Sequence, residues 1–209
     1  MVEEKSGPRS PLDIATACRV VVEAEAGTAI LVEGWSDEAA VETLARRFGP
    51  SLRDAQAVVL PVGGATNIAR FVQEIGPRGL GLRLAGLYDV GEEQHILRSL
   101  ERAGLSSPDR TGAEALGFFA CDADLEDELI RALGTKAVEG ALNACGELHS
   151  FRRFQAQPAQ RARTLHAQLH RFLGTRSGRK IRYGALLVDE LDLERVPRPL
   201  RLLLDRLSR

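Results

Sequence analysis

With 209 residues, 44% of them hydrophobic and 27% charged, the chain has the proportions of a globular protein with a real core, which excludes general disorder. One Trp and two Tyr argue against base stacking on an aromatic platform. The net charge of -1 conceals an acidic body, with 14 Lys and Arg against 24 Asp and Glu in residues 1–150, and a basic tail from Phe151, with 14 against 5.

The first twenty residues, with Glu3, Glu4, Pro8 and Pro11, lack the apolar run of a signal peptide, and residues 1–15 read as a flexible N-terminus. Thr28-Ala29-Ile30-Leu31-Val32 is a continuous β-prone run, as expected of a strand covered on both faces. It ends at Glu33-Gly34. Ser36 reads as an N-cap with Asp37 and Glu38 in the favourable first turn, and the helix carries Ala40, Val41, Leu44, Ala45 and Phe48 on one face up to Gly49-Pro50.

The unit then repeats. Ala57 to Leu60 predict a second strand, and Gly63-Gly64 lead into a helix with Ile68, Phe71, Val72 and Ile75 at helical spacing. Leu82 to Tyr88 predict a third strand ending at Asp89, followed by a helix with Ile96, Leu97 and Leu100 that closes at Gly104. Leu116 to Ala120 predict a fourth strand, with Asp122, Asp124, Glu126, Asp127 and Glu128 just past it. Helices then dominate, near 135–148, 158–173, 178–191 and 200–207. Strands alternating with helices imply a parallel α/β sheet with right-handed crossovers. The expected organisation is an α/β domain over residues 16–134 and a basic helical C-terminal extension, 135–209, packed on it.

Cys18, Cys121 and Cys145 form no CxxC pair, so neither a disulfide framework nor a zinc site is suggested, and reduced thiols in a cytoplasmic setting are expected. No apolar stretch approaches the ~20 residues that span a bilayer. His166 and His170 share one helix face without an HExxH pattern.

Glu33, Asp89 and the cluster beginning at Asp122 all stand at or just past strand ends. In a parallel sheet those ends share one edge, where functional groups collect. Converging carboxylates repel one another unless a cation neutralises them, and hard oxygen ligands select Mg²⁺ or Mn²⁺. Gly63-Gly64 before a helix suit either a phosphate cradle of backbone N–H groups or a tight strand-to-helix turn. Arg152, Arg153, Arg161 and Arg163, and the run Arg176, Arg179, Lys180 and Arg182, suit either a nucleic-acid backbone or solvated helix faces.

Ala29-Ile30-Leu31-Val32-Glu33-Gly34 with Ser36-Asp37-Glu38 resembles the first motif of Toprim domains, the fold shared by topoisomerases and primases. The closer resemblance is to the Toprim nuclease part of OLD-family endonucleases. It extends through Val62-Gly63-Gly64-Ala65-Thr66-Asn67, Leu87-Tyr88-Asp89-Val90-Gly91-Glu92-Glu93, Asp124-Leu125-Glu126-Asp127-Glu128-Leu129 and Ser177-Gly178-Arg179-Lys180. The resemblance implies a Toprim-type, Rossmann-like four-stranded parallel sheet and a metal-dependent nuclease acting on DNA or RNA. Glu33 would be the Toprim glutamate, a metal ligand or general acid/base. Asp37, Asp89 and Glu126 would be further metal ligands, and Lys180 a basic group near the scissile phosphate, beside Arg179.

Two departures from the family pattern stand out. Gly91 replaces the second Asp of the usual Asp-x-Asp, which questions tight two-metal binding. The chain begins almost at the first motif and has no GxxxxGK[ST] loop, so the resemblance implies activity independent of ATP or coupled through a separate ATPase. A nucleic-acid-binding module that has lost turnover is the competing reading.

Overall fold

A computed structural model of the chain describes residues 11–105, 109–175 and 177–208. Four strands, β1 (Thr28–Val32), β2 (Ala57–Pro61), β3 (Arg83–Asp89) and β4 (Phe118–Cys121), form one wholly parallel sheet in the order β2-β1-β3-β4. Helix α1 (Ile14–Glu23) precedes it. α2 (Trp35–Phe48) links β1 to β2, α3 (Ile68–Ile75) links β2 to β3, and α4 (Glu93–Arg102) with α5 (Arg110–Leu116) links β3 to β4. The chain ends in α6 (Leu125–Leu133), α7 (Thr135–Ala144), α8 (Leu148–Gln155), α9 (Pro158–Arg161), α10 (Leu165–Leu173), α11 (Ser177–Asp189) and α12 (Arg198–Leu207).

Every residue of β1 is buried, because each face of the sheet carries its own helical layer. Ala29 and Leu31 pack with residues of α1, α3, α4 and α5, among them Val21, Phe71, Ile96 and Ala113. Ile30 and Val32 pack on the opposite face with residues of α2 and the tail, among them Leu44, Leu129, Phe151, Phe172, Tyr183 and Leu200. The alternation follows from the pleat, which sends successive side chains to opposite faces. Helices α6 to α8 and α10 to α12 therefore share a core with the sheet. Among the described residues no helix is long and apolar enough to cross a membrane.

Local chemistry accounts for the departures from expectation. Helix α1 was not foreseen; Asp13 caps it by accepting from the Thr16 N–H at 2.9 Å, and Ala17 and Val21 bury one stripe. Ile14 and Ala15, expected in the flexible segment, are its first residues, while residues 1–10 lie outside those described. Gly117, at φ 100°, ends α5 in the left-handed conformation, so the fourth strand starts at Phe118 rather than Leu116. The helix expected over 135–148 breaks at Gly146, φ 70°. That over 158–173 breaks where the Thr164 side chain accepts from the Ala167 N–H and starts α10. Helix α2 is capped by Gly34 rather than Ser36, and Asp37 reaches back to accept from the Gly34 N–H at 2.8 Å.

Candidate metal centre

The parallel topology gathers the acids. β1 ends at Val32, with exposed Glu33 next in the chain. Asp89, the last residue of β3, lies in register with Cys121, the last residue of β4. Asp37, one turn into α2, is buried, and so is Glu126, in the first turn of α6. Lys180 on α11 reaches over this edge and sets its Nζ 3.2 Å from Glu126 Oε2. One turn later Gly184 lets α11 press on α2: a Cβ there would sit 2.5 Å from the Ser36 carbonyl oxygen. That close crossing brings Lys180 within reach of the acids.

The electrostatics show that these groups feel one another. Asp89 is pushed up to about 8, first by burial and then by Glu33, Asp37 and Asp124, with Lys180 opposing. Asp37 is pushed up to about 7 by burial and then by Glu126, against the pull of Lys180 and of the Gly34 N–H. Burial also raises Glu126, again opposed by Lys180. Burial works against the Lys180 ammonium, but Glu126 and Asp37 outweigh it and hold the proton more tightly than usual. Asp124 behaves differently: burial pushes it up, yet its hydrogen bonds to His170 and the Asp127 N–H hold it below the ordinary carboxylate range.

A hard divalent cation suits this set. The donors are carboxylate oxygens whose mutual repulsion a cation would relieve. Glu126 Oε2 is buried, and the Lys180 ammonium 3.2 Å away compensates its charge. The carboxylates are nevertheless gathered rather than closed on one point. Among the described residues no three His, Cys, Asp or Glu side chains are arranged to hold an ion.

The residues expected to meet phosphate stand differently. The N–H groups of Gly63 and Gly64 both donate to the Glu33 carbonyl, at 3.0 and 3.2 Å, so they brace the strand end and are not an open phosphate cradle. Gly63 has φ 75°, and a Cβ there would lie 2.5 Å from that of Pro11, which makes the tight-turn reading the operative one. Arg179, next to Lys180 but about 100° further round the helix, turns inward. Its Nε donates to Glu147 Oε2 at 2.6 Å, its NH1 bonds Thr175, and its guanidinium lies 4.0 Å over the Phe172 ring. With 10% of its side chain exposed, Arg179 serves packing, not nucleic acid. Arg152 pairs with Glu139, while Arg161 and Arg163 bond carbonyls of their own segment. Arg153 is exposed, and Arg176 lies outside the described residues.

Two functional neighbours escaped the sequence reading. His166 and His170, which form no HExxH pattern, meet Asp127 Oδ1 and Asp124 Oδ2, each at 2.6 Å. The matching signal was a pair of spacings, i,i+4 for the histidines and i,i+3 for the aspartates, each setting two side chains on one helix face.

Comparison with known proteins agrees with this architecture. Residues 26–90 match the family model "Overcoming lysogenization defect protein-like, TOPRIM domain", a span that includes Glu33, Asp37, Gly63, Gly64 and Asp89. No curated protein matches the chain. The C-terminal region of the Burkholderia pseudomallei OLD protein superposes with a TM-score of 0.69 at 20% identity, over 88% of this chain and 97% of that one. The C-terminal region of the Xanthomonas campestris pv. campestris OLD protein, phased with iodine, does so at 0.65 and 22%, over 88% and 94%. At such identities the likeness is one of fold. The chain thus carries the OLD-like Toprim domain over residues 26–90, within the fold of the C-terminal regions of OLD proteins.

Proposed function

We propose that this protein is a divalent-metal-dependent nuclease of the endonuclease type, working on DNA or RNA. The observation that carries the reading is the gathering of Asp37, Asp89 and Glu126, each raised by burial and neighbouring charge, around the Lys180 ammonium at the sheet edge where Glu33 follows β1. A structural cluster of surface acids would leave its members solvated and near their ordinary values. Here burial raises the cost of charge on Asp37, Asp89 and Glu126, which a hard cation would offset.

In this reading Asp37, Asp89, Glu126 and Glu33 hold Mg²⁺ or Mn²⁺. When bound, such an ion would supply charge stabilisation for a phosphodiester in transit and would favour deprotonation of an attacking water. Glu33, the exposed member, is placed to take that proton. Lys180, which the acids hold at this edge, would offset phosphate charge. The exposed basic side chains of the tail, Arg153 and Arg171 among them, would track the nucleic-acid backbone with strong salt dependence.

A cleavage assay on plasmid, single-stranded DNA and RNA with Mg²⁺ and Mn²⁺ tests this. Glu33→Gln and Asp89→Asn should each abolish metal-dependent cleavage with circular dichroism and melting temperature retained. Full cleavage by both variants refutes the assignment. Salt-dependent binding by the wild type, with no cleavage under any metal, would establish the alternative reading of a binding module that Gly91 has disabled.

A further inference from the structure

We propose that the cavity between α8 and the turn from α10 into α11 binds one nucleotide unit, a phosphate together with its unpaired base, supplied by a single strand. The inference rests on the nucleic-acid reading above and adds a second site, away from the carboxylates, that needs no metal.

The cavity has a volume of about 570 Å³, within the range that small ligands occupy and more than a phosphate alone would fill. Ser150, Arg153, Phe154 and Gln157 form one wall. Their spacing, i, i+3, i+4 and i+7, is that of a single helix face, carried just past the end of α8 at Gln155. The facing wall comes from the end of α10 and from α11, with Phe172, Thr175 and Arg179. The rings of Phe154 and Phe172 lie 5.5 Å apart and tie the two walls together.

Among the described residues no carboxylate lines the cavity. The Arg179 charge is met at 2.6 Å by Glu147, which is not part of the lining, and the Thr175 hydroxyl is committed to Phe172 and Arg179. That wall is therefore fixed and its charge answered. Arg152 turns aside to Glu139. Arg153 is different: it is exposed, and among the described residues it meets no carboxylate. Its planar fork of N–H donors suits phosphate. Ser150 and Gln157, also exposed, add a hydroxyl and an amide that both donate and accept, the chemistry that reads a base edge. Half-buried Phe154 supplies the ring against which the base packs. One base in a cavity asks less than the run of bases that an aromatic platform serves, and a single phenyl ring meets it. A base inside a duplex keeps its stacked neighbours and cannot enter, so the site selects unpaired strand. Lys180 follows Arg179 about 100° round the helix, so the cavity and the acids flank α11, and a strand passing over that helix reaches both.

The test is binding by the full chain in a chelating buffer free of divalent metal, with melting temperatures in parallel. A labelled short single strand and its duplex are followed by fluorescence anisotropy, adenosine monophosphate and inorganic phosphate by calorimetry. Ser150→Leu plugs the cavity from an exposed position, and Phe154→Leu keeps apolar volume while removing the ring. Both should weaken single-strand binding at least about fivefold and leave duplex binding, a backbone contact, within about twofold of wild type. Arg153→Ala should lower the slope of log K against log salt for the single strand by about 0.7. Adenosine monophosphate binding that exceeds that of inorganic phosphate and is lost in Ser150→Leu supports the nucleotide site. If that loss comes with single-strand binding unchanged, the cavity takes a free nucleotide and the strand is refuted as its source. Equal weakening of single strand and duplex by Ser150→Leu, or no change in any ligand, overturns the proposal. Cleavage abolished by Glu33→Gln while every cavity variant binds as wild type leaves the metal-centre reading standing and removes this one.

Discussion

Proton release should dominate metal binding. Asp37 at about 7 and Asp89 at about 8 both carry a proton at pH 6 that a cation must displace. Treating them as independent sites, apparent affinity rises almost a hundredfold per pH unit below 7, tenfold between 7 and 8, and levels off near 9. The whole span from pH 6 to 9 amounts to about a thousandfold. The sign for stability runs the other way. Both acids have folded values above the unfolded 3.8, so the metal-free protein gains from them fully below that value and loses the contribution as pH rises through 7 and 8. Calorimetric titration with Mn²⁺ in two buffers of different ionisation enthalpy counts the protons directly. An affinity flat from pH 6 to 9, with no proton release, would show that these carboxyls do not hold the ion.

Three further outcomes follow from the packing. Lys180→Met leaves the buried Glu126 without a counter-charge. Since Lys180 is 39% exposed, the cost is discounted to about 2 kcal/mol, as urea unfolding will show. Gly184→Ala forces α11 away from the Ser36 carbonyl; we expect a loss of about 2 kcal/mol, roughly 6 °C in melting temperature, together with weakened cleavage. Arg179→Gln breaks the Glu147 pair and the stacking on Phe172. It should lower stability by about 2 kcal/mol while leaving the salt dependence of nucleic-acid binding unchanged, since that guanidinium is not offered to phosphate.

The strands and the acidic edge were legible because their signals are local and the topology rule is general. Ala29 to Val32 is apolar at every position, which requires cover on both faces, and parallel pairing converts strand ends into neighbours. Orientation was not legible. Lys180 and Arg179 are adjacent basic residues, and only the phase of α11 against its neighbours sends one to Glu126 and the other to Glu147. The direction of the Gly63 and Gly64 amides depends on where the Glu33 carbonyl lies, a contact across strands. The histidine bridges join positions 39 and 46 residues apart, and spacing within each helix could not say which helix would face which. Helices α1 and α5 owe their starts to Asp13 and Asp109 caps, which are easily mistaken for ordinary loop acids.

The shared core has a consequence for dissection and for evolution. Because Ile30 and Val32 are sealed by the same layer that contains Phe151, Tyr183 and Leu200, the last third of the polypeptide cannot be shed as an accessory. Trimming it would bare an apolar sheet face to water and remove the lysine that balances the acids. Inheritance of the acidic edge is thereby tied to inheritance of the tail, and recombination that separates the two should yield aggregates rather than a smaller folded unit.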